Sequence, residues 1–168
     1  VDGGDFGNAC LHGFVDRDLV INNSGACPMR IASITSSSPE FVIPSVVTYP
    51  LVVAAGDTIA VPVRFRPASF GGKSALLTIT SNEPGGSRSV AVSGTAPAPE
   101  LDVVVPDAAS FGKVCVDAFR DLPLTLVNSG RCPLTILNVA SSSGEFLAPN
   151  VTSYPIVVAP GGSVSMPI

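Results

Sequence analysis

The sequence lacks tryptophan, has a single histidine and carries few charges, because Asp, Glu, Lys and Arg make up only 13% of its 168 residues. Nucleic-acid-binding proteins present a basic surface that neutralises phosphates. Here nine Lys and Arg accompany thirteen Asp and Glu, for a formal net charge of −4, so no nucleic-acid partner is expected. The lone histidine, His12, has no partner pattern around it, and we interpret it as a surface residue rather than a catalytic base.

The sequence also lacks an uninterrupted apolar run long enough to cross a membrane. A spanning helix needs about 20 consecutive apolar residues. The most apolar stretch, residues 42–63, is interrupted by Pro44, Pro50, Gly56, Asp57 and Pro62. Because proline and glycine mark turns, we expect short strands joined by turns and no direct membrane insertion.

What the sequence does contain is typical of an all-β protein. Hydrophobic residues make up 46% of it, with much Val, Ile and Leu beside Ser and Thr, and it has 16 glycines and 16 prolines. β-Branched residues fit a pleated, half-buried surface, and glycine and proline separate short strands with turns.

Sequence segments recur at a fixed offset of 105 residues. The recurring segments include FGNAC at 6–10 and FGKVC at 111–115, NNSGACP at 22–28 and VNSGRCP at 127–133, and SSSPEF at 36–41 and SSSGEF at 141–146. Residues 6–63 match residues 111–168 without a gap, and about 26 of the 58 paired positions are identical. A duplicated structural unit is therefore expected.

The repeat predicts the domain organisation. We expect a first repeat over residues 1–96 whose first strand is absent, a Pro-rich linker at 97–100, and a second repeat over 101–168 that is incomplete at its end. Residues 101–105 would have their counterpart before Val1, and residues 64–95 would have theirs after Ile168. Two explanations fit this pattern. The sequence is a segment of a longer array of repeats, or its second unit is completed by another chain.

Alternating apolar residues and turn signals predict strands in the first repeat. They lie near residues 18–22, 29–34, 41–43, 51–54, 58–66, 74–81 and 89–93. About seven short strands in roughly 100 residues is typical of an immunoglobulin-like β-sandwich. The predicted fold class is therefore a tandem of immunoglobulin-like β-sandwich repeats.

Motifs in the first repeat resemble a known family. The most specific are Phe65-Arg66-Pro67, Thr80-Ser81-Asn82-Glu83-Pro84 and Ser93-Gly94-Thr95-Ala96. Over essentially its whole length the chain resembles the bacterial choice-of-anchor D module, which is related to the ASH domain of abnormal-spindle and hydin proteins. The resemblance implies an immunoglobulin-like sandwich in a large, often surface-exposed bacterial protein, and it transfers no catalytic residues.

Four cysteines, Cys10, Cys27, Cys115 and Cys132, have the same spacing in each repeat. Four cysteines permit three pairings, and a self-contained repeat favours Cys10–Cys27 and Cys115–Cys132. Each bond would stabilise its unit by about 3 kcal/mol in the chain-entropy model. Free buried thiols or a metal site are the alternatives, although the short C-x-x-C spacing of structural zinc sites is absent. Disulfides would place the protein outside the cytoplasm.

The sequence shows no pattern of catalytic residues. The serine runs at 36–38 and 141–143 lack a G-x-S-x-G motif, and the second repeat has no histidine to act as a base. Carboxylates cluster at residues 2–5 and 16–18, as calcium ligands do, but neither segment matches a calcium-binding loop. We interpret them as solvated turns, and we expect no enzyme activity, no cofactor and no bound metal.

We therefore predict a structural or binding module of an extracellular or cell-surface repeat protein, acting as a spacer, an adhesive unit or a fibre-forming unit. Its partners would be other proteins or copies of itself. Because binding surfaces in such folds lie on end loops and edge strands, the candidate contact residues are Ser36, Ser37, Ser38, Glu40, Asn82, Glu83 and Arg88. Two alternatives stay open: an assembly subunit completed by strand exchange with a neighbouring chain, and an intracellular cytoskeletal scaffold like the ASH proteins.

Overall fold

The computed structural model describes residues 3–147 and 153–168 of the chain. These residues form strands, turns and loops with one 3-10 turn at Asp107–Ala109, so the all-β prediction is confirmed. Within them, no helix has the length and apolar character needed to cross a bilayer. The strands are β1 (Asp5–Asn8), β2 (Val15–Asn22), β3 (Met29–Ser36), β4 (Phe41–Val42), β5 (Leu51–Val53), β6 (Thr58–Phe65), β7 (Gly71–Ser81), β8 (Ser87–Ala96), β9 (Leu101–Val104), β10 (Pro123–Asn128), β11 (Leu134–Ile136), β12 (Ile156–Val158) and β13 (Ser163–Pro167).

The chain divides into two compact units, Val1–Pro97 and Ala98–Ile168. The first unit holds β1 to β8, and the second holds β9 to β13. Residues 97–100 between β8 and β9 form neither strand nor helix. Glu100 nevertheless packs within the second unit, because its carbonyl oxygen accepts a hydrogen bond from the Ser129 N–H at 3.0 Å.

The first unit is a β-sandwich of two sheets. One sheet has five strands in the order β1-β8-β7-β3-β5, and the other has three in the order β2-β6-β4. Neighbouring strands are antiparallel except β1 and β8, which run parallel. Inward-facing apolar residues of both sheets form one buried core, as sheet packing requires; they include Leu19, Ile31, Val61, Leu77 and Val92.

The seven strands predicted for this unit are present, with ends shifted by a few residues. The structure adds β1, which the sequence did not indicate. Only Phe6 of its four residues is buried, so it shows no alternating pattern.

β7 and β8 form the longest hairpin, paired from Gly71 and Ala96 to Thr80 and Ser87. At its turn the Ser81 N–H donates to the Gly86 carbonyl oxygen at 2.9 Å. Gly86 has a φ of 72°, a conformation that glycine adopts without steric cost.

Three phenylalanines form the centre of the first core. The rings of Phe6 and Phe41 meet edge to face with centroids 5.3 Å apart, and Phe41 stacks on Phe65 at 4.7 Å. β8 crosses closely over this cluster at Gly94, where a Cβ atom would lie 2.5 Å from Cε1 of Phe65. The hairpin therefore covers the aromatic cluster at a distance that only glycine permits.

Asn23 lies buried in the loop after β2, and its side chain hydrogen-bonds to the opposite sheet. The Asn23 Nδ2 donates to the carbonyl oxygens of Cys27 at 2.9 Å and Val53 at 3.0 Å, and its Oδ1 accepts from the Gly25 N–H at 3.1 Å. Asn128, 105 residues later, makes the same three contacts in the second unit, with Cys132, Val158 and Gly130.

The second unit repeats part of this framework. β9, β10 and β13 form a sheet in the order β13-β10-β9, and β11 pairs with β12. At the 105-residue offset, β10, β11, β12 and β13 correspond to β2, β3, β5 and β6. A smaller core is buried among Leu124, Leu126, Ile136, Val158 and Met166. The counterparts of β7 and β8 would follow Ile168 and are not in the sequence.

The structure contradicts the predicted disulfide pairs Cys10–Cys27 and Cys115–Cys132. Cys27 and Cys115 are exposed free thiols, whereas Cys10 and Cys132 are disulfide-bonded. Neither pair within a repeat therefore forms.

The physical reason is the strand between the two cysteines of each repeat. The eight residues of β2 separate Cys10 from Cys27 and run from one end of the sandwich to the other. At about 3.3 Å per residue the ends of β2 are roughly 25 Å apart, whereas the Cα atoms of a disulfide lie about 4.4–6.8 Å apart. The six residues of β10 separate Cys115 from Cys132 in the same way.

Candidate functional site: an open apolar groove in the second unit

The second unit contains an open cavity of about 560 Å³, which we call the groove. Its apolar lining residues are Phe111, Val114, Ala118, Phe119, Leu124, Val139, Ala140, Phe146, Leu147 and Ile168. Gly112, Arg120, Asp121, Ser141 and Glu145 complete the lining. The charged residues of this set are exposed to solvent, and most of the other lining residues are apolar. The walls of the groove are therefore mainly apolar.

Most apolar residues of the groove correspond to core residues of the first unit. The pairs at the 105-residue offset are Phe111 and Phe6, Val114 and Ala9, Leu124 and Leu19, Val139 and Ile34, Phe146 and Phe41, and Ile168 and Val63. Phe41 is 1% exposed in the first unit, whereas Phe146 is 52% exposed in the second. The groove is therefore lined largely by the equivalents of core residues of the first unit, and Phe146 is half exposed in it.

The aromatic pair in the groove has the geometry of its counterpart. The rings of Phe111 and Phe146 meet edge to face with centroids 5.3 Å apart, at an interplanar angle of 62°. Phe6 and Phe41 have the same centroid distance and an angle of 75°. The framework around the groove is therefore already arranged as a sandwich core.

In the first unit, the β7–β8 hairpin covers the core residues equivalent to those that line the groove. In the first unit, Ala75, Leu77 and Val92 from this hairpin share one core with Phe6 and Phe41. The strands that would pair with such a hairpin are also short in the second unit. β3 has eight residues and pairs with β7, whereas its counterpart β11 has three. Residues 110–113, the counterpart of β1, form no strand.

Arg120 is the cation of the groove lining, and it makes one hydrogen bond and one ion pair. Its Nη1 donates to the Phe111 carbonyl oxygen at 3.2 Å, and its Nη2 lies 3.8 Å from Oδ2 of Asp107. The groove therefore offers apolar side-chain positions and unpaired strand edges rather than a charged ligand site.

The first predicted contact loop, Ser36 to Glu40, directs its polar atoms to the backbone. Ser37 Oγ accepts from the Leu76 N–H at 2.9 Å, and Ser38 Oγ accepts from the Glu40 N–H at 3.3 Å. Ser36 Oγ donates to the Ser38 carbonyl oxygen at 2.9 Å, and Glu40 accepts from the Ala68 N–H at 2.7 Å. These side chains stabilise the loop itself.

The second predicted contact loop, Asn82 to Arg88, lies at the other end of the five-stranded sheet. Register pairs place Ser36 opposite Leu77 and Ile31 opposite Ser81, so the two loops do not meet. Asn82 Oδ1 accepts from the Arg30 N–H at 2.8 Å, and Arg88 Nε donates to Glu83 Oε1 at 2.7 Å.

The acidic and histidine candidates near the N-terminus show no shared site. His12 lies in an exposed turn between β1 and β2. Asp16 accepts two hydrogen bonds of 2.8 Å from Arg64, whose guanidinium lies 3.7 Å above the Phe14 ring centroid. The hydrogen bonds from Arg64 lower the pKa of Asp16. Asp2 lies outside the described residues, and among those described no group of three His, Cys, Asp or Glu could hold a metal.

Comparisons with known proteins identify no family. No protein-family model matches this chain, and no curated protein matches it in sequence. Among solved structures, the chain is similar to a chaperone–tip adhesion subunit pre-assembly complex from the Csu pili of Acinetobacter baumannii, at 14% identity and a TM-score of 0.37, over 97% of this chain and 84% of that one.

Two further solved structures are similar at the same level. The chaperone DraB of E. coli has 15% identity and a TM-score of 0.38, over 98% of this chain and 80% of that one. The secreted serine protease VesC of Vibrio cholerae has 14% identity and a TM-score of 0.45, and the 98% of this chain that aligns spans only 42% of the protease.

Proposed function

We propose that this chain is a non-catalytic structural or binding module of an extracellular or cell-surface repeat protein, serving as a spacer, an adhesive unit or a fibre-forming unit. One observation carries the proposal: both units hold the same buried asparagine contacts and the same edge-to-face phenylalanine pair. A framework that recurs within one chain suits a role in which modules are joined in series. Membership of the choice-of-anchor D family is part of this proposal and is supported by the sequence motifs alone.

The hydrogen bonds of the serine loop support a role without catalysis. Ser36, Ser37 and Ser38 all bond to backbone groups of their own loop or of β7. A nucleophilic serine needs a base within hydrogen-bond reach instead. These residues therefore fit a turn that holds two strands in place.

The disulfide-bonded state of Cys10 and Cys132 supports a location outside the cytoplasm. Disulfides persist in oxidising compartments and are rare in the cytosol, where thiols are kept reduced. Cys27 and Cys115 are exposed free thiols, and they provide a direct probe of location.

The test is labelling of intact cells that carry the protein, with a maleimide reagent that does not cross membranes. We expect Cys27 and Cys115 to react on intact cells, and Cys10 and Cys132 to react only after reduction. A Cys27→Ser/Cys115→Ser double variant is the control and should remain unlabelled. Labelling that requires permeabilised cells, with all four thiols reactive, would contradict the proposal and favour the intracellular scaffold.

The groove favours a second candidate function, an assembly subunit completed by strands from a neighbouring chain. Uncovered core residues and unpaired strand edges promote pairing with another chain. The mass of the purified chain, measured across a range of concentrations, tests whether copies complete one another. A strictly monomeric chain would count against exchange between copies.

A further inference from the structure

We propose that the charged residues Asp16, Arg17 and Asp18 prevent the edge of β2 from pairing with β2 of a second copy of this chain. β2 pairs with β6 along all eight of its residues, and among the described residues no strand pairs with the other side of this charged segment. An open strand edge offers N–H and C=O groups to another chain, and proteins limit such pairing with charges, prolines or short edge strands.

Alternate residues of β2 direct their backbone groups away from β6. In an antiparallel ladder, residues that exchange hydrogen bonds with the partner strand alternate with residues whose N–H and C=O point the other way. The Asn23 N–H, directly after β2, donates to the Asp57 carbonyl oxygen at 2.9 Å, so the odd-numbered residues face β6. Asp16, Asp18 and Val20 therefore direct their backbone groups to the open edge.

The charged segment places charge on both faces of this edge. Asp16 and Asp18 lie on the solvent face of the three-stranded sheet and are exposed. Arg17 lies opposite Val63, which is fully buried, so it occupies an inward-facing position although its own side chain is exposed. An inward-pointing charge opposes edge pairing because a strand added beside it would bury that charge.

Symmetric pairing of two β2 edges would bring like charges together. Two copies related by a two-fold axis place residue i opposite residue j and residue j opposite residue i. With the axis at Arg17, the two arginines face each other and each Asp16 faces an Asp18. With the axis at Asp18, the two Asp18 carboxylates face each other. Like charges directly opposite destabilise a strand pair, so both registers are unfavourable.

The second unit has a proline at the same edge position. Leu122 and Ile168 exchange two backbone hydrogen bonds of 2.9 Å, so Pro123 and Thr125 direct their backbone groups away from β13. β9 pairs with β10 from Thr125 onward and does not reach Pro123, which has no N–H to donate. This stretch of the edge is therefore open even where β9 covers the rest. Pro123 is the counterpart of Asp18 at the 105-residue offset, so the two units protect one position in two ways.

The test removes the three charges from the full chain. The variant Asp16→Thr/Arg17→Val/Asp18→Thr gives β2 an uncharged, β-branched edge. Both it and the parent chain carry Cys27→Ser and Cys115→Ser, so that the exposed thiols cannot cross-link copies. We expect sedimentation across a range of concentrations to show a dimer of the variant whose dissociation constant is at least about tenfold below that of the parent.

Hydrogen exchange locates the contact. In the dimer of the triple variant, exchange should slow by at least about tenfold at the amides of residues 16, 18 and 20, because these N–H groups gain acceptors. Arg17→Val alone retains the ion pair between Asp16 and Arg64 and should lower the dissociation constant by at least about threefold. The test therefore does not depend on the folding of the triple variant.

Two matched variants separate edge pairing from a general gain of apolar surface. Asp16→Thr/Arg17→Val/Asp18→Pro lacks the outward N–H at residue 18, as Pro123 does, and should associate at least about tenfold more weakly than the triple variant. Ser74→Thr/Ala91→Val/Ser93→Thr adds similar residues at exposed positions of β7 and β8, which have a strand neighbour on each side. It should associate no more strongly than the parent.

Three outcomes would overturn the inference. They are a triple variant and Arg17→Val that associate no more than the parent, matched variants that associate as strongly as the triple variant, and a parent chain that already dimerises with residues 16, 18 and 20 protected. None of them affects the proposed function, because labelling of intact cells reports the location of the protein independently of this edge.

Discussion

Individual side chains connect the two sheets of each unit, and the buried asparagines are the main examples. Asn128 is fully buried, and its amide donates to the backbone of two separate segments, at Cys132 and at Val158. Removing it leaves buried carbonyl oxygens without donors, and each such group costs about 1–3 kcal/mol.

We expect Asn128→Ala to lower the free energy of unfolding of the second unit by about 2–4 kcal/mol. Urea unfolding followed by hydrogen exchange at β10 and β12 measures the loss. Asn138→Ala, at an exposed position, is the control and should change stability by no more than about 0.5 kcal/mol. Equal effects of the two substitutions would show that the buried contacts contribute little.

Asp16 gives the first unit a pH-dependent contribution. The hydrogen bonds from Arg64 hold its pKa below the ordinary value of 3.8 in the folded chain. A lowered folded pKa means that the stabilisation is fully present above the unfolded pKa and is lost as the pH falls through the folded value.

We expect Asp16→Asn to lower the melting temperature at neutral pH, and the difference from the parent chain to shrink as the pH falls below the ordinary value of 3.8 and through the lowered folded pKa. The effect should be small because both partners are partly exposed to solvent. Thermal unfolding at several pH values measures it. Arg64→Gln should likewise reduce the fall of the melting temperature at acid pH. If the melting temperature of both variants falls with pH as it does in the parent chain, the effect does not come from the Asp16–Arg64 pair.

Asn23 and Asn128 also show what residue-level prediction misses. The NSG segments are recognised in the sequence as part of the 105-residue repeat. Their burial could not be predicted, because the contact from Asn23 to Val53 spans 30 residues and depends on how the sheets pack.

At the scale of strands and hairpins, the β7–β8 hairpin approaches the aromatic core closely at Gly94. A Cβ atom at Gly94 would lie 2.5 Å from Phe65, whereas nothing lies within 4 Å of one at Gly72. Overpacking of a core typically costs about 1–3 kcal/mol.

We therefore expect Gly94→Ala to destabilise the first unit by about 1–3 kcal/mol. Gly72→Ala, on the same hairpin, should have an effect of about 0.5 kcal/mol or less. Chemical denaturation of both variants tests this. A neutral Gly94→Ala would mean that the ring of Phe65 moves aside without cost.

The predicted disulfide pairs were wrong because a strand lies between the two cysteines of each repeat. Equal spacing within each repeat suggested Cys10–Cys27, although a strand near residues 18–22 was predicted between them. A single strand between two residues carries them to opposite ends of a sandwich, so the strand prediction itself already opposed the bond. Length and direction of the intervening element, rather than spacing alone, decide which cysteines can meet.

At the scale of the whole molecule, equivalent positions in the two units have different surroundings. Phe41 is buried beneath β7–β8, whereas its counterpart Phe146 is half exposed in the groove. Truncating a fully buried phenylalanine costs about 3–5 kcal/mol, and the loss falls with the area that remains exposed.

We expect Phe41→Ala to destabilise the first unit by about 3–5 kcal/mol and Phe146→Ala to destabilise the second by about 1 kcal/mol. Hydrogen exchange, resolved for each unit, measures the two effects separately. After extension of the chain by the sequence of residues 64–96, the cost of Phe146→Ala should rise towards that of Phe41→Ala. A cost that stays constant would argue against completion of the second core.

Much of the architecture follows from the sequence alone. Strand positions, the fold class and the offset that relates the two units are all determined by local alternation, turn residues and self-similarity, which need no knowledge of packing.

Only the tertiary structure decided which residues meet. It assigned Ser36–Glu40 and Asn82–Arg88 to opposite ends of a sheet, left Cys27 and Cys115 as free thiols, and brought Phe111 and Phe146 together in an open groove. The physical reason is that a strand's period is local, whereas sheet order and sheet packing join residues far apart in the chain. A site made by that packing has no signature in any one segment.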